Sequence, residues 1–347
     1  MSTPPPPSPL SLPLRTRIQL AVLDFITNRT LCPDGSVDRR LINLLDRPFP
    51  PNPVPRNSVS SHDFSLDPSR DLWFRLFVPS TADSTSDYSD NRLPVIVFFH
   101  GGGFALLSPA SRSYDAVCRR FARRFNSVVV SVNYRRTPEH RFPAQFEDSL
   151  DVLRFLSNRR HTIPNWPINA DLTKCFLAGD SAGGNLTHNV AIMYLQNENR
   201  EIEFRDLRLR GLIVIQPFFG GKETAESETR LEGAPIVSLE RTEWMWKAFL
   251  GPDGADKDHW AVNVSGPNAV ELDGLELPPV VLFVGGFDPL RDWQLRYGEW
   301  LKRKGKDVVV FDYEKACHAF YVFPEIEETE KLIVEVGKFI RAQCSKV

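Results

Sequence analysis

Gly179-Asp180-Ser181-Ala182-Gly183-Gly184-Asn185 follows the apolar run Cys175–Ala178 and precedes a stretch with Leu186, Val190, Ala191, Met193, Tyr194 and Leu195 at helical spacing. This is a G-x-S-x-G between strand and helix. Such a turn strains the serine backbone and projects its hydroxyl, and glycines two residues to either side remove the side chains that would clash. The helix N-terminus behind it favours negative charge developing at the serine. The competing reading is a glycine-rich turn that grips a phosphate. It is weaker here, because no lysine follows and the G-x-G-x-x-G spacing is absent. Ser181 is therefore read as a nucleophile.

Working outward, short apolar or aromatic runs alternate with helical segments. The runs are Val95–Phe99, Val128–Val132, Cys175–Ala178, Leu212–Ile215, Val280–Val284 and Val308–Phe311, with a further strand expected over 72–78. Continuous apolar strands separated by helices predict an α/β fold with a mostly parallel central sheet and helices on both faces. Ligands of such sheets bind beyond the carboxyl ends of the strands, so the residues just after each run are the candidates for chemistry. Residues 218–276 interrupt the alternation with Gly220-Gly221, an acidic stretch and several tryptophans, and are read as a cap insertion near the sheet edge. Residues 80–92 read as a polar loop.

The run ending at Phe99 leads into His100-Gly101-Gly102-Gly103-Phe104. Glycines let backbone N–H groups face a cavity without Cβ obstruction, and acyl transfer needs preorganised donors for the tetrahedral oxyanion. The expected donors are the N–H groups of Gly102 and Gly103 and that of Ala182, the residue after the serine. The acid and base should follow in the order acid, then histidine. Asp288 and His318 both lie just past strand ends in that order. Asp292 is the lesser candidate for the acid, since it reads as the N-cap of a helix over 293–304. His188 lies on the serine's own helix and would point away. His259 precedes Asp288 and falls in the insertion. In this reading Ser181 attacks a carbonyl, His318 relays the proton and Asp288 orients the imidazole.

The chain has 347 residues, 42 basic against 44 acidic, and a net charge of −2. No polycationic field exists for nucleic acid or anionic lipid. The cluster Arg119, Arg120, Arg123, Arg124 reads as a solvated helix face. Five scattered cysteines without a CxxC pair argue against a disulfide framework and a zinc site, and the isolated histidines imply no metal. No cofactor is expected. No secretory signal or membrane-length apolar run is visible, so the cytoplasm is the expected compartment, with the nucleus as the alternative. A monomer and a dimer are equally compatible with the sequence.

Proline sets the N-terminus apart: 12 of the 28 prolines fall in the first 55 residues. Residues 1–13 read as a flexible tail. Residues 14–27 and 37–46 carry helical apolar patterns, and Pro48–Pro55 must be extended. The domain reading is a tail over 1–13, an N-terminal segment over 14–55, and a core over 56–347.

The four motifs His100–Phe104, Gly179–Asn185, Asp288-Pro289-Leu290 and His318-Ala319-Phe320 resemble the hormone-sensitive-lipase-like branch of the α/β-hydrolases, and more closely the plant carboxylesterases within it. Asn133–Ala144 is similar to that branch's loop after the second motif strand. The resemblance covers roughly residues 14–344. It implies an α/β-hydrolase fold in which segment 14–46 is a helical lid over the pocket. It also implies a carboxylic-ester hydrolase acting on small or medium apolar esters, with Phe104, Phe218 and Trp244 as candidate substrate contacts. The same group includes gibberellin receptors, which keep the serine, replace the catalytic histidine and grip the hormone with the lid, and dehydratases and cyclases with altered sites. This chain keeps His318, which favours hydrolysis over the receptor and dehydratase or cyclase alternatives.

Overall fold

Alternation along the strands splits the core into two layers. Val95, Val97 and Phe99 belong to one apolar cluster and Ile96 and Phe98 to another; Val128, Val130 and Val132 face the first cluster and Val129 the second. A strand whose successive side chains point to opposite faces, both covered, must be apolar at every position. The computed structural model describes residues 12–80, 92–251 and 256–346. Residues 1–11 of the expected tail and nearly all of the 80–92 loop lie outside the described residues.

The chain runs α1 (Leu14–Thr30), α2 (Arg39–Leu45), β1 (Val59–Asp67), β2 (Leu72–Pro79), β3 (Leu93–Phe99), α3 (Arg112–Phe125), β4 (Val128–Asn133), α4 (Ala144–Arg159), β5 (Ala170–Asp180), α5 (Ala182–Gln196), α6 (Arg200–Glu203) and β6 (Leu209–Ile215). It continues with α7 (Glu226–Arg230), α8 (Leu239–Leu250), β7 (Val280–Phe287), α9 (Arg291–Arg303), β8 (Val308–Cys317) and α10 (Glu327–Cys344). One eight-stranded sheet has the order β1-β2-β4-β3-β5-β6-β7-β8. β1 and β2 pair antiparallel, as do β2 and β4, and every other neighbouring pair is parallel. This is the α/β-hydrolase fold.

The insertion leaves β6, the third strand from the β8 edge, and returns into β7, the second, so it lies near that edge of the sheet. Its residues Ile236, Thr242 and Met245 line one cavity with Ser181 and His318, beyond the carboxyl ends of the strands. The arginine cluster is a solvated face only in part, at the exposed Arg123 and Arg124. Arg119 is buried, donating to Val59 O (2.6 Å) and Ser61 Oγ (3.0 Å) and pairing with Asp115. Arg120 donates to Tyr321 O (3.1 Å), while Arg124 does pair with the exposed Glu330. Helical spacing is the same for an arginine that faces water and one that caps buried carbonyls.

The two N-terminal helices pack against the insertion. α1 buries Leu20 and leaves Leu14, Ile18, Val22 and Phe25 half or more exposed. Its fastenings are polar: Thr16 Oγ1 donates to Glu325 (2.8 Å), and Arg241 of α8 reaches Asp24 Oδ1 (2.6 Å) and Asn28 Oδ1 (2.8 and 2.9 Å). α2 starts at Asp38, whose carboxylate accepts the Leu41 N–H (2.9 Å), an N-cap. Arg39 then grips Glu139 through two bonds (2.9 and 2.6 Å).

Candidate active site

Ser181 sits between the end of β5 and the start of α5 with φ 53° and ψ −120°. Its N–H donates to Ile215 O (3.0 Å) and its carbonyl accepts the Phe218 N–H (2.8 Å), so the strained residue is held from the neighbouring strand. The strain persists because packing over-determines it. A Cβ on Gly179 would run into the Gly183 carbonyl, and one on Gly183 into the Phe99 carbonyl. Both glycines are thus required by close approach. Asn185 closes the motif by donating to Phe218 O (3.0 Å) and Ala261 O (2.7 Å), which ties the insertion to the elbow.

The loop after β3 lies beside the serine. Gly102 (φ 100°) and Gly103 (φ 59°) are left-handed, a conformation that side chains disfavour. Among the described residues neither donates a backbone hydrogen bond within the protein. Ala182 is the first residue of α5, where N–H groups have no intrahelical acceptor. The imidazole of His100 is buried against the Tyr134 ring at 4.3 Å, and burial holds its pKa down to about 3. It is a neutral structural ring.

His318 follows β8 and donates from Nδ1 to Asp288 Oδ2 at 2.8 Å. Both are buried. Burial alone would lower the imidazole pKa, but the charge and hydrogen bond of Asp288, with the charge of Asp180, hold it above the ordinary histidine value. Asp288 also accepts from Gln216 Nε2 (2.9 Å) and Gln294 Nε2 (2.9 Å) through Oδ2, and from the Leu290 N–H (3.0 Å) through Oδ1. A carboxylate so supplied with donors is held in place. Asp292 is not the N-cap of α9. It lies in that helix's first turn and accepts the Ser227 N–H (2.9 Å), serving the start of α7 instead.

Ser181, His318, Gly102, Gly103 and Phe218 line one apolar cavity of about 210 Å³, roofed by Leu23, Ile26 and Leu45 from the N-terminal helices. Phe104 and Trp244 are not among its lining residues. Phe104 is fully buried and stacks on Phe249 at 4.3 Å, so it is core. Trp244 donates from Nε1 to Cys32 O (2.8 Å) and fastens the segment after α1. Its neighbour Met245 faces the cavity in its stead and fills the space that a side chain on Gly103 would need. Sequence reading also missed Gln216 and Gln294. Glutamine after an apolar strand is one weak signal; its partner at a separation of 72 residues is not visible in one chain.

A family model described as alpha/beta hydrolase fold matches residues 96–322. The chain is 38% identical to gibberellin receptor GID1C of Arabidopsis thaliana, covering 96% of this chain and 95% of the receptor. It is 35% identical to carboxylesterase 20 of Arabidopsis thaliana, covering 87% and 89%. In structure it is similar to a hyperthermophilic esterase from the archaeon Pyrobaculum calidifontis, with TM-score 0.72, 25% identity and coverage of 98% and 99%. The chain belongs to the α/β-hydrolase family, among relatives that include both plant carboxylesterases and gibberellin receptors.

Proposed function

We propose that the protein is a serine carboxylesterase acting on small or medium apolar esters, with Ser181, His318 and Asp288 as its triad. The observation that carries this reading is the buried His318–Asp288 pair (2.8 Å) opening on the same apolar cavity as the strained Ser181. With the Nδ1 proton committed to Asp288, Nε2 is the basic nitrogen. It takes the Ser181 proton as Oγ attacks the ester carbonyl. The N–H groups of Gly102, Gly103 and Ala182 receive the oxyanion. Collapse of the tetrahedral species expels the alcohol, which takes the proton from His318. Water, activated by the same imidazole, then attacks the acyl-enzyme and releases the carboxylic acid. The apolar lining excludes water and suits an aliphatic or aromatic substituent. Segment 14–46 acts as the lid. The free thiols of Cys32, Cys118, Cys175 and Cys317 fit a reducing, intracellular setting.

Ser181→Ala tests the reading. The variant should fold and show no turnover of p-nitrophenyl acetate above background, while the wild type shows a burst of p-nitrophenol followed by steady release. Wild-type turnover retained by Ser181→Ala would refute the nucleophile.

A receptor is the second reading. It is favoured by the gibberellin receptors among the relatives and by α1, which roofs the cavity with Leu23 and Ile26 while exposing an apolar outer side. It predicts ligand-dependent ordering of residues 14–46, a partner protein and negligible turnover. His318, on Asp288, weighs against it. Tight retention of ligand with very slow hydrolysis would favour it.

A further inference from the structure

Gly101 is the one glycine of the His100–Phe104 loop without a positive φ. Conformational freedom therefore does not account for it. Its neighbours do: a Cβ there would stand 2.7 Å from Asp180 Oδ2 and 2.8 Å from the Tyr114 hydroxyl. The Gly101 N–H donates to Tyr114 Oη (2.7 Å), and that hydroxyl donates its own proton to Asp180 Oδ2 (2.9 Å). The Gly101 carbonyl meets His100 Nδ1 at 2.8 Å. Gly101 is thus held at both its N–H and its C=O. Its carbonyl shares a rigid, planar peptide unit with the N–H of Gly102, so fixing one fixes the direction of the other.

Resting on the esterase reading, we propose that Tyr114 and Asp180 are positioning residues: a carboxylate–phenol strut that sets the oxyanion-binding peptides of Gly102 and Gly103 against the nucleophile. Asp180 is the residue before Ser181, so the strut joins the serine elbow directly to the glycine loop. Tyr114 enters from α3 with its ring beside Phe98 and His100 (centroids 6.1 and 5.5 Å) and its hydroxyl between Gly101 and Asp180. Tyr114 and Asp180 are both buried, where an unmet N–H is costly and a hydrogen bond is stronger than in water. Burial pushes the Asp180 carboxyl up to about 6. The group is nevertheless ionised at neutral pH, and an ionised acceptor polarises the phenol and strengthens its hold on the Gly101 N–H. The two motifs that frame the site, His100–Phe104 and Gly179–Asn185, are physically one unit through this contact.

The test compares wild type with Tyr114→Phe, Asp180→Ala and Asp180→Asn. It measures kcat and KM on p-nitrophenyl butyrate, the inhibition constant of phenylboronic acid, whose adduct with Ser181 mimics the tetrahedral intermediate, and the melting temperature. Misplacement of reacting groups by about 1 Å costs on the order of a hundredfold. Tyr114→Phe and Asp180→Ala should therefore lose about ten- to a hundredfold in kcat, with KM within about threefold, and lose boronate affinity by a similar factor. Asp180→Asn keeps an oxygen acceptor for the phenol and should recover most of the loss. A purely structural role would lower the melting temperature without moving boronate affinity. The proposal is overturned if Tyr114→Phe stays within twofold of wild type in both kcat and boronate affinity, if kcat falls while boronate affinity holds, or if wild type does not bind boronate. If wild type binds boronate but hydrolyses no ester, the esterase reading alone fails, and the affinity ratio between wild type and Tyr114→Phe still decides the strut.

Discussion

Replacing Gln216 by leucine should damage the active site from a position that touches neither substrate nor nucleophile. Gln216 is 1% exposed. Its Nε2 donates to Asp288 Oδ2 (2.9 Å) and to Cys317 O (3.1 Å), and its Oε1 accepts the Ala319 N–H (2.8 Å). Cys317 and Ala319 flank His318, so one amide holds both the acid and the chain on either side of the base. Leucine is of similar volume and supplies none of these bonds. Asp288 keeps Gln294, Leu290 and His318 as donors, but the Ala319 N–H and the Cys317 carbonyl lose the partner Gln216 supplied. Each unmet buried group costs about 1–3 kcal/mol. Partial solvation through the cavity reduces the sum, which leaves about 3 kcal/mol. At about 2 °C per kcal/mol for a domain of this size, the melting temperature should fall by about 6 °C. Catalysis should suffer more, because His318 loses the anchors beside it; a displacement near 1 Å predicts a loss of about a hundredfold in kcat, with KM little changed. Gln216→Glu sharpens the test. Ionised, it sets a second carboxylate against Asp288, and two such groups do not both ionise in contact; protonated, it donates to Asp288 as glutamine does. The ratio of Gln216→Glu to Gln216→Leu activity should therefore rise as pH falls. The assays are thermal denaturation and p-nitrophenyl ester kinetics between pH 5 and 8. A Gln216→Leu enzyme with a melting temperature within 1 °C and kcat within twofold of wild type would refute the clamp.

Two further outcomes follow from the same geometry. His318 is held above the ordinary imidazole pKa, so the folded state binds its proton more tightly than the unfolded chain does. This group's contribution to stability is complete below the unfolded pKa of about 6.5 and disappears as pH rises through the folded value. Activity runs the other way, because the neutral ring is the base of the proposed triad: the acid limb of kcat/KM should lie above pH 6.5, and Asp288→Asn should move it down, read from a pH–rate profile. Arg241→Ala removes the grip on Asp24 and Asn28 from a largely buried guanidinium. It should weaken the seating of α1 by about 1–2 kcal/mol, seen as roughly tenfold faster amide exchange across residues 14–30 with the core strands unchanged; equal protection in the variant would remove the latch.

The parts of the site legible in the sequence are those written as local chain patterns at strand ends: the serine elbow, the glycine loop, Asp288 and His318. Each combines a residue type with a turn that the neighbouring residues specify. What escaped is set by contacts between distant segments. Tyr114 and Asp180 are 66 residues apart, Gln216 and Ala319 are 103 apart, and nothing in either local stretch announces the other. β1 was missed for a different reason. Its Val59-Ser-Ser-His-Asp-Phe-Ser-Leu-Asp67 sequence is a half-exposed edge strand with no strong apolar alternation, and edges demand little of composition. Phe104 and Trp244 were misplaced because aromatic character does not distinguish a pocket wall from core or from a fastening of the N-terminal segment. The glycine loop shows the limit most plainly. One letter repeated three times was read as one requirement, backbone freedom facing a cavity. Gly102 and Gly103 do satisfy it. Gly101 answers to a different constraint, the space taken by Asp180 and Tyr114, and that constraint comes from the other motif and from α3. The residues packed behind a motif are therefore the ones it conceals, since the motif records that a position is small and not what occupies the room.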